Sequence, residues 1–417
     1  MNNPTPRFPT TRREFLRSSG RGIGLLAFSR FAPSFLVRAA RADVPPPEKD
    51  RSVLVLVQLA GGNDGLNTVI PFEDPQYYRL RPSLAIPKGK VLPLSGRQGL
   101  HPSCAALLAL ARDGKLAIVQ NVGYPNPNHS HFRSTEIWET ASSSDEFLST
   151  GWLGRYLDNA CAGVPAGDHD PEAVHINTLN GMPETLFGER EHPTFGLMAH
   201  GLGHRDSERT RELLELVGER GPDTERGFLE HTLMDSLVTE AKIQRMLAGY
   251  RPLTEYPLNP FGASLRNVAG LIAAGLPTRV YFVTLTGFDT HVNQLGTHTR
   301  LLEVLSAGLA AFQRDLEAHR LDGQVVTMTF SEFGRRPFEN DSKGTDHGTA
   351  APLFVMGSRV QAGLHGAAAS LDIPRNQDVA YGTDFRSLYA TMLESWLGYP
   401  SEPVLGAKFA PLPIFTA

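Results

Sequence analysis

The densest chemistry in this 417-residue chain lies between Phe330 and Ala350, FSEFGRRPFENDSKGTDHGTA. The β-branched and apolar run Val325 to Phe330 predicts a buried strand. Directly after it the composition turns to Ser331, Glu332, Arg335, Arg336, Glu339, Asn340 and Asp341, and ends on Thr345-Asp346-His347-Gly348. Polar side chains just past the C-terminal end of a strand are where α/β proteins bind ligands. An adjacent carboxylate and imidazole can serve one cation, and the glycine after them lets the backbone turn sharply. The plainer reading of the same residues is a turn with a capping Asp and a surface His.

Three further strand exits carry similar residues. Ser52 to Leu59 is an uninterrupted apolar run, the mark of a central parallel strand, and it feeds into Gly61-Gly62-Asn63-Asp64-Gly65-Leu66-Asn67. Neither a phosphate loop nor a dinucleotide fingerprint is present there. Asp64 sits where a ligand from a first strand would sit, or it caps a turn. Leu116 to Val122 predicts a second strand, followed by prolines and then His129-Ser130-His131 at the start of a helix. A serine there has its hydroxyl in the field of free N–H groups, which depresses its pKa, or it simply caps the helix. The flanking histidines read more readily as surface residues than as ligands. Arg279 to Thr286 predicts a third strand, whose exit holds Asp289 and His291.

The elements that must position these groups follow from composition and period. The chain is 41% hydrophobic and 20% charged, so it is globular. Thr11 to Arg17 contains the pair Arg12-Arg13, an apolar run follows, and Ala40-Arg41-Ala42 offers small residues for cleavage. Residues 1–42 are therefore read as a Tat signal peptide, with the Tat translocase as an export partner and the periplasm or medium as destination. Asp43 to Asp50 is a Pro-rich linker, and 51–417 a single domain. The leader holds 8 of the 40 basic and 1 of the 44 acidic residues, so the remainder carries 32 against 43 and a net charge of −11. That balance argues against nucleic acid as a partner, and no other apolar run reaches membrane-spanning length. Cys104 and Cys161 could pair or stay as free thiols, and two cysteines rule out a Cys-based zinc site. Between 205 and 250 the period is helical, an insertion on the sheet without chemistry of its own. Helices are also expected over 261–274 and 297–321, and Asp384 is read as the N-cap of a final helix.

In a parallel sheet the strand exits share one edge. Asp64, Ser130, Asp289, His291, Asp346 and His347 would then form one composite site of oxygen and imidazole ligands. Such a site suits Zn²⁺ or Mn²⁺, or Ca²⁺ where carboxylates dominate. Two metals there would clamp the oxygens of a small phosphate or sulfate ester while a hydroxyl attacks.

The chain resembles the DUF1501 family of Tat-exported bacterial proteins. The matching residues are the twin-arginine leader, Gly61 to Asn67, Pro127 to Phe132, Gly287 to Gln294, Ser331 to Asn340, Gly344 to Gly348 and Thr383 to Arg386. That family is similar to the alkaline phosphatase and sulfatase superfamily. The resemblance implies an alkaline phosphatase-like α/β fold, a mostly parallel central sheet with helices on both faces. It also implies metal-dependent hydrolysis of phosphate or sulfate esters, or a degenerate periplasmic binding protein that keeps the fold. By position it gives Asp64 and Asp346-His347 metal roles, Asp289 and His291 a second metal, and Ser130 the nucleophile. The chain departs from the superfamily's pattern in three places. About fifteen residues separate the strand from Asp346-His347, Asp289 and His291 are two apart with Asn293 at the fourth position, and no late histidine motif is evident, His365 sitting in a Gly/Ala loop and Asp384 being the only late candidate. Glu332 and Arg335 offer a replacement ligand and an anion clamp, or an exposed ion pair.

Overall fold

The computed structural model describes residues 51–160, 172–176, 181–190, 192–197, 239, 242–374 and 377–416. The leader, the linker, Cys161 and most of the insertion lie outside the described residues; 242–249 of the insertion are helical.

The strand β1 (Val53–Ala60) is the centre of the molecule. Its side chains alternate across the sheet: Val53, Val55, Val57 and Leu59 enter one core, and Leu54 and Leu56 the other. A strand buried on both faces has no polar side, which is why its sequence is apolar apart from Gln58. The strands β2 (Val69–Ile70), β3 (Leu92–Pro93) and β4 (Gly99–Leu100) form a small separate sheet in the order β2-β4-β3. The remaining strands are β5 (Leu116–Gly123), β6 (Ala173–Ile176), β7 (Thr194–Leu197), β8 (Val280–Thr286), β9 (Val325–Phe330), β10 (Ala351–Met356), β11 (Gly363–His365) and β12 (Thr383–Asp384). With β1 they make a nine-stranded sheet in the order β11-β5-β10-β9-β1-β8-β6-β7, with β12 also beside β5. Every pairing is parallel except those of β10, which is antiparallel to both β5 and β9.

Helices cover both faces, as expected. The helices α1 (Gly65–Thr68) and α2 (Pro75–Leu80) follow β1. One core takes Leu107 from α3 (Ala105–Arg112), Leu265 from α6 (Pro260–Ala273) and Leu309 from α7 (Gln294–Ala318). The other takes Trp138 from α4 (His131–Thr140), Tyr156 from α5 (Trp152–Ala160) and Tyr389 from α8 (Phe385–Thr391). α7 begins three residues before the expected Thr297. Asn293 adopts a left-handed φ of 47° as its N-cap, which turns the chain early and places Gln294 in the first turn. No helix among the described residues is long and apolar enough to cross a membrane.

The direction of β10 places the chemistry. β1, β5, β8 and β9 all point the same way, so their C-terminal ends share one edge. β10 runs against them, so residues 331–350 leave β9 and enter β10 at that same edge. The long spacing before Asp346 and His347 is a loop that never departs from it.

Candidate metal centre

Asp289 Oδ1 is the common point of this edge. His291 Nε2 lies 3.0 Å from it, His347 Nε2 3.3 Å, and His131 Nε2 3.4 Å. Among the described residues, His131, Asp289 and His347 are the one group of three whose ligand atoms all lie within 4.8 Å of one another. His291 joins two of them, its Nε2 being 2.8 Å from His347 Nε2. Four ligands about 2.0–2.1 Å from a tetrahedral zinc are about 3.3 Å apart from each other, close to this spacing.

Each imidazole is held from behind through Nδ1. His131 Nδ1 lies 2.8 Å from Glu332 Oε1, His347 Nδ1 is 2.7 Å from the His129 carbonyl, and His291 Nδ1 is 3.1 Å from Asp346 Oδ1. All three partners are acceptors, so Nδ1 carries the proton and a neutral ring turns its Nε2 lone pair toward Asp289. Two lone pairs then face each other across 2.8 Å at His291 and His347, an arrangement that a proton or a cation relieves. His131 Nε2 is buried with no hydrogen-bond partner. A carboxylate or carbonyl behind each histidine is the usual support of a metal-binding imidazole. The donor set fits a divalent cation.

Electrostatics agree. Burial works against the charge on Asp289, but Arg335, with help from His347 and His291, outweighs it and holds the carboxyl down at about 2. Hydrogen bonding from Asn340, then His291, lowers Asp346 against the pull of burial. Burial lowers His347, and the Glu332 hydrogen bond raises His131. Beneath the rings, Phe333 packs on both His131 and His347, with centroids at 4.9 and 4.5 Å.

Two glycines are fixed by close approach. A Cβ on Gly61, already at φ 120°, would come within 2.3 Å of the Asp289 nitrogen. One on Gly348 would come within 2.6 Å of the Arg335 backbone, so this glycine makes room where the loop folds back on itself, and it has no positive φ.

The structure gathers Asp289, His291 and His347 and sets Asp346 behind His291. It does not bring Asp64 to them. Asp64 is fully buried; Arg81 Nη1 donates to its Oδ2 at 2.5 Å and Gln294 Nε2 donates to the same oxygen. Arg81 also donates to the carbonyls of Arg336 and Pro337, at 2.8 and 2.9 Å. The cation beside Asp64 is therefore a guanidinium, and the pair ties the β1 exit to the 331–350 loop. Burial opposes the charge on Asp64, and Arg81 overcomes it and keeps the carboxyl below its ordinary value. Thr68, another hydroxyl of this loop, is buried and donates to the Asp64 carbonyl at 2.7 Å.

Ser130 is the N-cap of α4, exposed, and its side chain makes no capping bond. Both of its neighbours touch His347: the His129 carbonyl by hydrogen bond and the His131 ring at a centroid distance of 4.3 Å. Ser134, a turn later, is buried against Tyr124 and the Glu332 carbonyl. Asp384 caps α8 and pairs with Arg386.

Glu332 and Arg335 are not an exposed ion pair. Both are buried. Glu332 Oε1 accepts from the Gly61 N–H at 2.8 Å as well as facing His131. Arg335 donates to Asp289 at 2.6 Å and to the carbonyls of Gly61, Gly62, Phe288 and Thr345, binding three strand exits together. His131, which the sequence reads more readily as a surface residue, joins the cluster, and Glu332, offered as a replacement ligand, stands behind it as the partner of its Nδ1. The usable signal was that every other exit on this edge already carried a histidine or an acid.

A family model described as "Protein of unknown function (DUF1501)" matches residues 51–404. No curated protein matches the chain. Among solved structures, a protein in the alkaline phosphatase superfamily from Vibrio parahaemolyticus is 10% identical, with 87% of this chain and 72% of that one covered and a TM-score of 0.40. The lipoteichoic acid synthase LtaP from Listeria monocytogenes is 11% identical, with 82% and 77% covered and a TM-score of 0.35. The C-terminal periplasmic domain of EptC from Escherichia coli, in complex with Zn, is 11% identical, with 75% of each chain covered and a TM-score of 0.36. Likenesses of this size carry no weight for the chemistry of the present chain.

Proposed function

The chain belongs to the DUF1501 family, and from its cluster of three histidines and one aspartate we propose that it is a metal-dependent hydrolase of small phosphate or sulfate esters. One observation carries this reading: three Nε2 atoms converge on Asp289 Oδ1 while each Nδ1 is tied back to an acceptor. The residues that would hold the ion are the group of three, His131, Asp289 and His347, with His291 beside them, since a catalytic zinc takes three protein ligands and keeps a position for substrate. A set dominated by imidazole favours Zn²⁺ and disfavours Ca²⁺, which takes six to eight oxygens. Asp64 is engaged by Arg81, so the reading is of one metal, not two.

A bound cation would draw negative charge from the ester's non-bridging oxygens. The chain itself supplies the rest. Ser130, exposed beside His131, is the nucleophile in this reading, and the N–H groups of the first turn of α4 favour the negative charge that develops there. Phe333 and the three Nδ1 partners keep the rings in place. Residues 1–42 act as a Tat signal, 43–50 as a linker and 51–417 as the working domain, in the periplasm or medium.

The test is elemental analysis of purified protein together with turnover of an aryl phosphate and an aryl sulfate. About one zinc per chain, with turnover abolished by chelator and restored by metal, is expected. A protein that takes up no metal under any reconstitution sinks the reading. It would leave a binding protein in which Arg335 alone balances Asp289.

A further inference from the structure

Beside the cluster, the carboxylate of Asp378 stands between two basic side chains. Its Oδ2 lies 3.1 Å from His129 Nε2, and its Oδ1 lies 3.1 Å from Arg336 Nε. Both partners belong to the loops that hold the cluster. The His129 carbonyl supports His347, and the Arg336 N–H donates to the Asp346 carbonyl at 3.0 Å. Asp378 arrives from a different part of the chain, the irregular stretch before β12. Its neighbour Val379 anchors it: that side chain is buried with Leu66 and Leu371, and its carbonyl accepts from the Thr349 hydroxyl. The fit is imperfect, since Asp378 Oδ1 is shielded from water yet has no aligned hydrogen-bond donor.

We infer that His129 and Arg336 form an oxyanion-binding pair at the rim of the cluster, and that Asp378 is a built-in counter-anion which the incoming anion displaces. The inference rests on the hydrolase reading for the identity of that anion, the phosphate or sulfate group of the ester. A guanidinium fork matches the oxygens of carboxylate, phosphate and sulfate alike, and an imidazole N–H donates whether or not the ring is charged. The side chains of Arg336 and His129 are 30% and 44% exposed, so a dissolved anion reaches both. Arg335, with no exposed side-chain surface and all its contacts internal, offers no such access. The Asp378 side chain is itself only 14% exposed, but both of its partners open to water, so a dissolved anion competes with it for their N–H groups.

Inorganic phosphate is titrated calorimetrically into the full chain, with and without chelator. The proteins compared are the parent, Asp378→Asn, and Asp378→Asn combined with Arg336→Met. Removing one competing surface ion pair should tighten phosphate binding about fivefold in Asp378→Asn, in both buffers. The second substitution should abolish that gain. Equal affinity in the parent and Asp378→Asn, no binding to any variant, or a gain that survives without Arg336 overturns the inference. So does a gain confined to metal-containing buffer, which would assign the phosphate to the histidine cluster. If the amide disturbs folding, as read by near-ultraviolet circular dichroism, Asp378→Ser removes the same charge and is held to the same outcomes. Metal content of the same samples reports separately on the hydrolase reading. Metal-free protein that keeps the Arg336-dependent gain would remove the hydrolase and leave the anion pair standing.

Discussion

His347 is held by the backbone of His129: its Nδ1 donates to that carbonyl at 2.7 Å. A carbonyl only accepts, so this one bond settles which nitrogen of His347 carries the proton and which faces Asp289. It also couples the β5 exit to the 331–350 loop, two segments more than 200 residues apart in sequence.

Removing a ring should remove the metal. His131→Ala and His347→Ala are expected to reduce metal content to background. Glu332→Gln should retain the fold but weaken metal affinity by about 10–100-fold, the usual effect of losing the partner behind a ligand histidine. Competition with a chromophoric chelator measures it, and unchanged affinity in Glu332→Gln would show that His131 needs no support.

The Asp64–Arg81 pair should behave as structure, not as part of the metal centre. Arg81→Met leaves a buried carboxylate uncompensated and should destabilise by about 3–5 kcal/mol, while Asp64→Asn with Arg81→Met should cost less. Metal content should be unaltered in both. The folded-state pKa of Asp64 lies below its ordinary value of 3.8, so the pair stabilises at neutral pH. Its contribution is lost as pH falls below 3.8. Denaturant melts across that range should show a shallower acid limb in the double variant; parallel limbs would refute the assignment.

Glu139 predicts the opposite slope. Burial pushes this carboxyl up to about 7, against hydrogen bonds from the Glu184 and Thr185 backbone. Its folded pKa exceeds the ordinary 4.5, so stability is full below 4.5 and declines as pH rises toward 7. Glu139→Gln keeps an acceptor for the Thr185 N–H and should stabilise the protein at pH 8 by about 2–3 kcal/mol, with little effect at pH 4. Thermal melts at the two pH values give the answer, and an equal change at both would rule out titration as the cause.

Two serines one turn apart should separate chemistry from packing. Ser130→Ala should lower ester turnover by about 10³-fold or more with metal and fold intact. Ser134→Ala deletes a buried hydroxyl that bonds Tyr124 and the Glu332 carbonyl, and should cost about 1–3 kcal/mol of stability while leaving turnover nearly unchanged. Full activity in Ser130→Ala would point to an attacking water.

The scaffold was legible because its signals are local. The apolar run of β1 announces a strand covered on both faces, and the glycines and acids after it announce an exit. The residues of the cluster could be found by asking what each exit carries. What could not be read was the assignment of partners. Asp64 and Asp289 follow the same pattern of strand, glycine and acid. Only the fold puts Arg81 against the first and three imidazoles against the second. His131 reads as a surface residue because flanking histidines usually are, and its neighbour Phe132 is indeed 89% exposed. Its own ring is drawn inward by Glu332, which lies 201 positions away. Arg335 resembled a substrate clamp, and its five acceptors come from loops that no local pattern connects.

The reversed strand β10 makes residues 331–350 a cassette. Both ends of the segment are fixed on the same edge of the sheet, and between them it carries Glu332, Phe333, Arg335, Arg336, Asp346 and His347. Its interior is tied to the exits of β1 and β8 through Arg335 and to Arg81 through the carbonyls of Arg336 and Pro337. One of the four residues of the cluster, His347, the partners behind His131 and His291, and one member of the anion pair lie together in this single contiguous block. The other three, His131, Asp289 and His291, stand at the exits of the parallel strands β5 and β8.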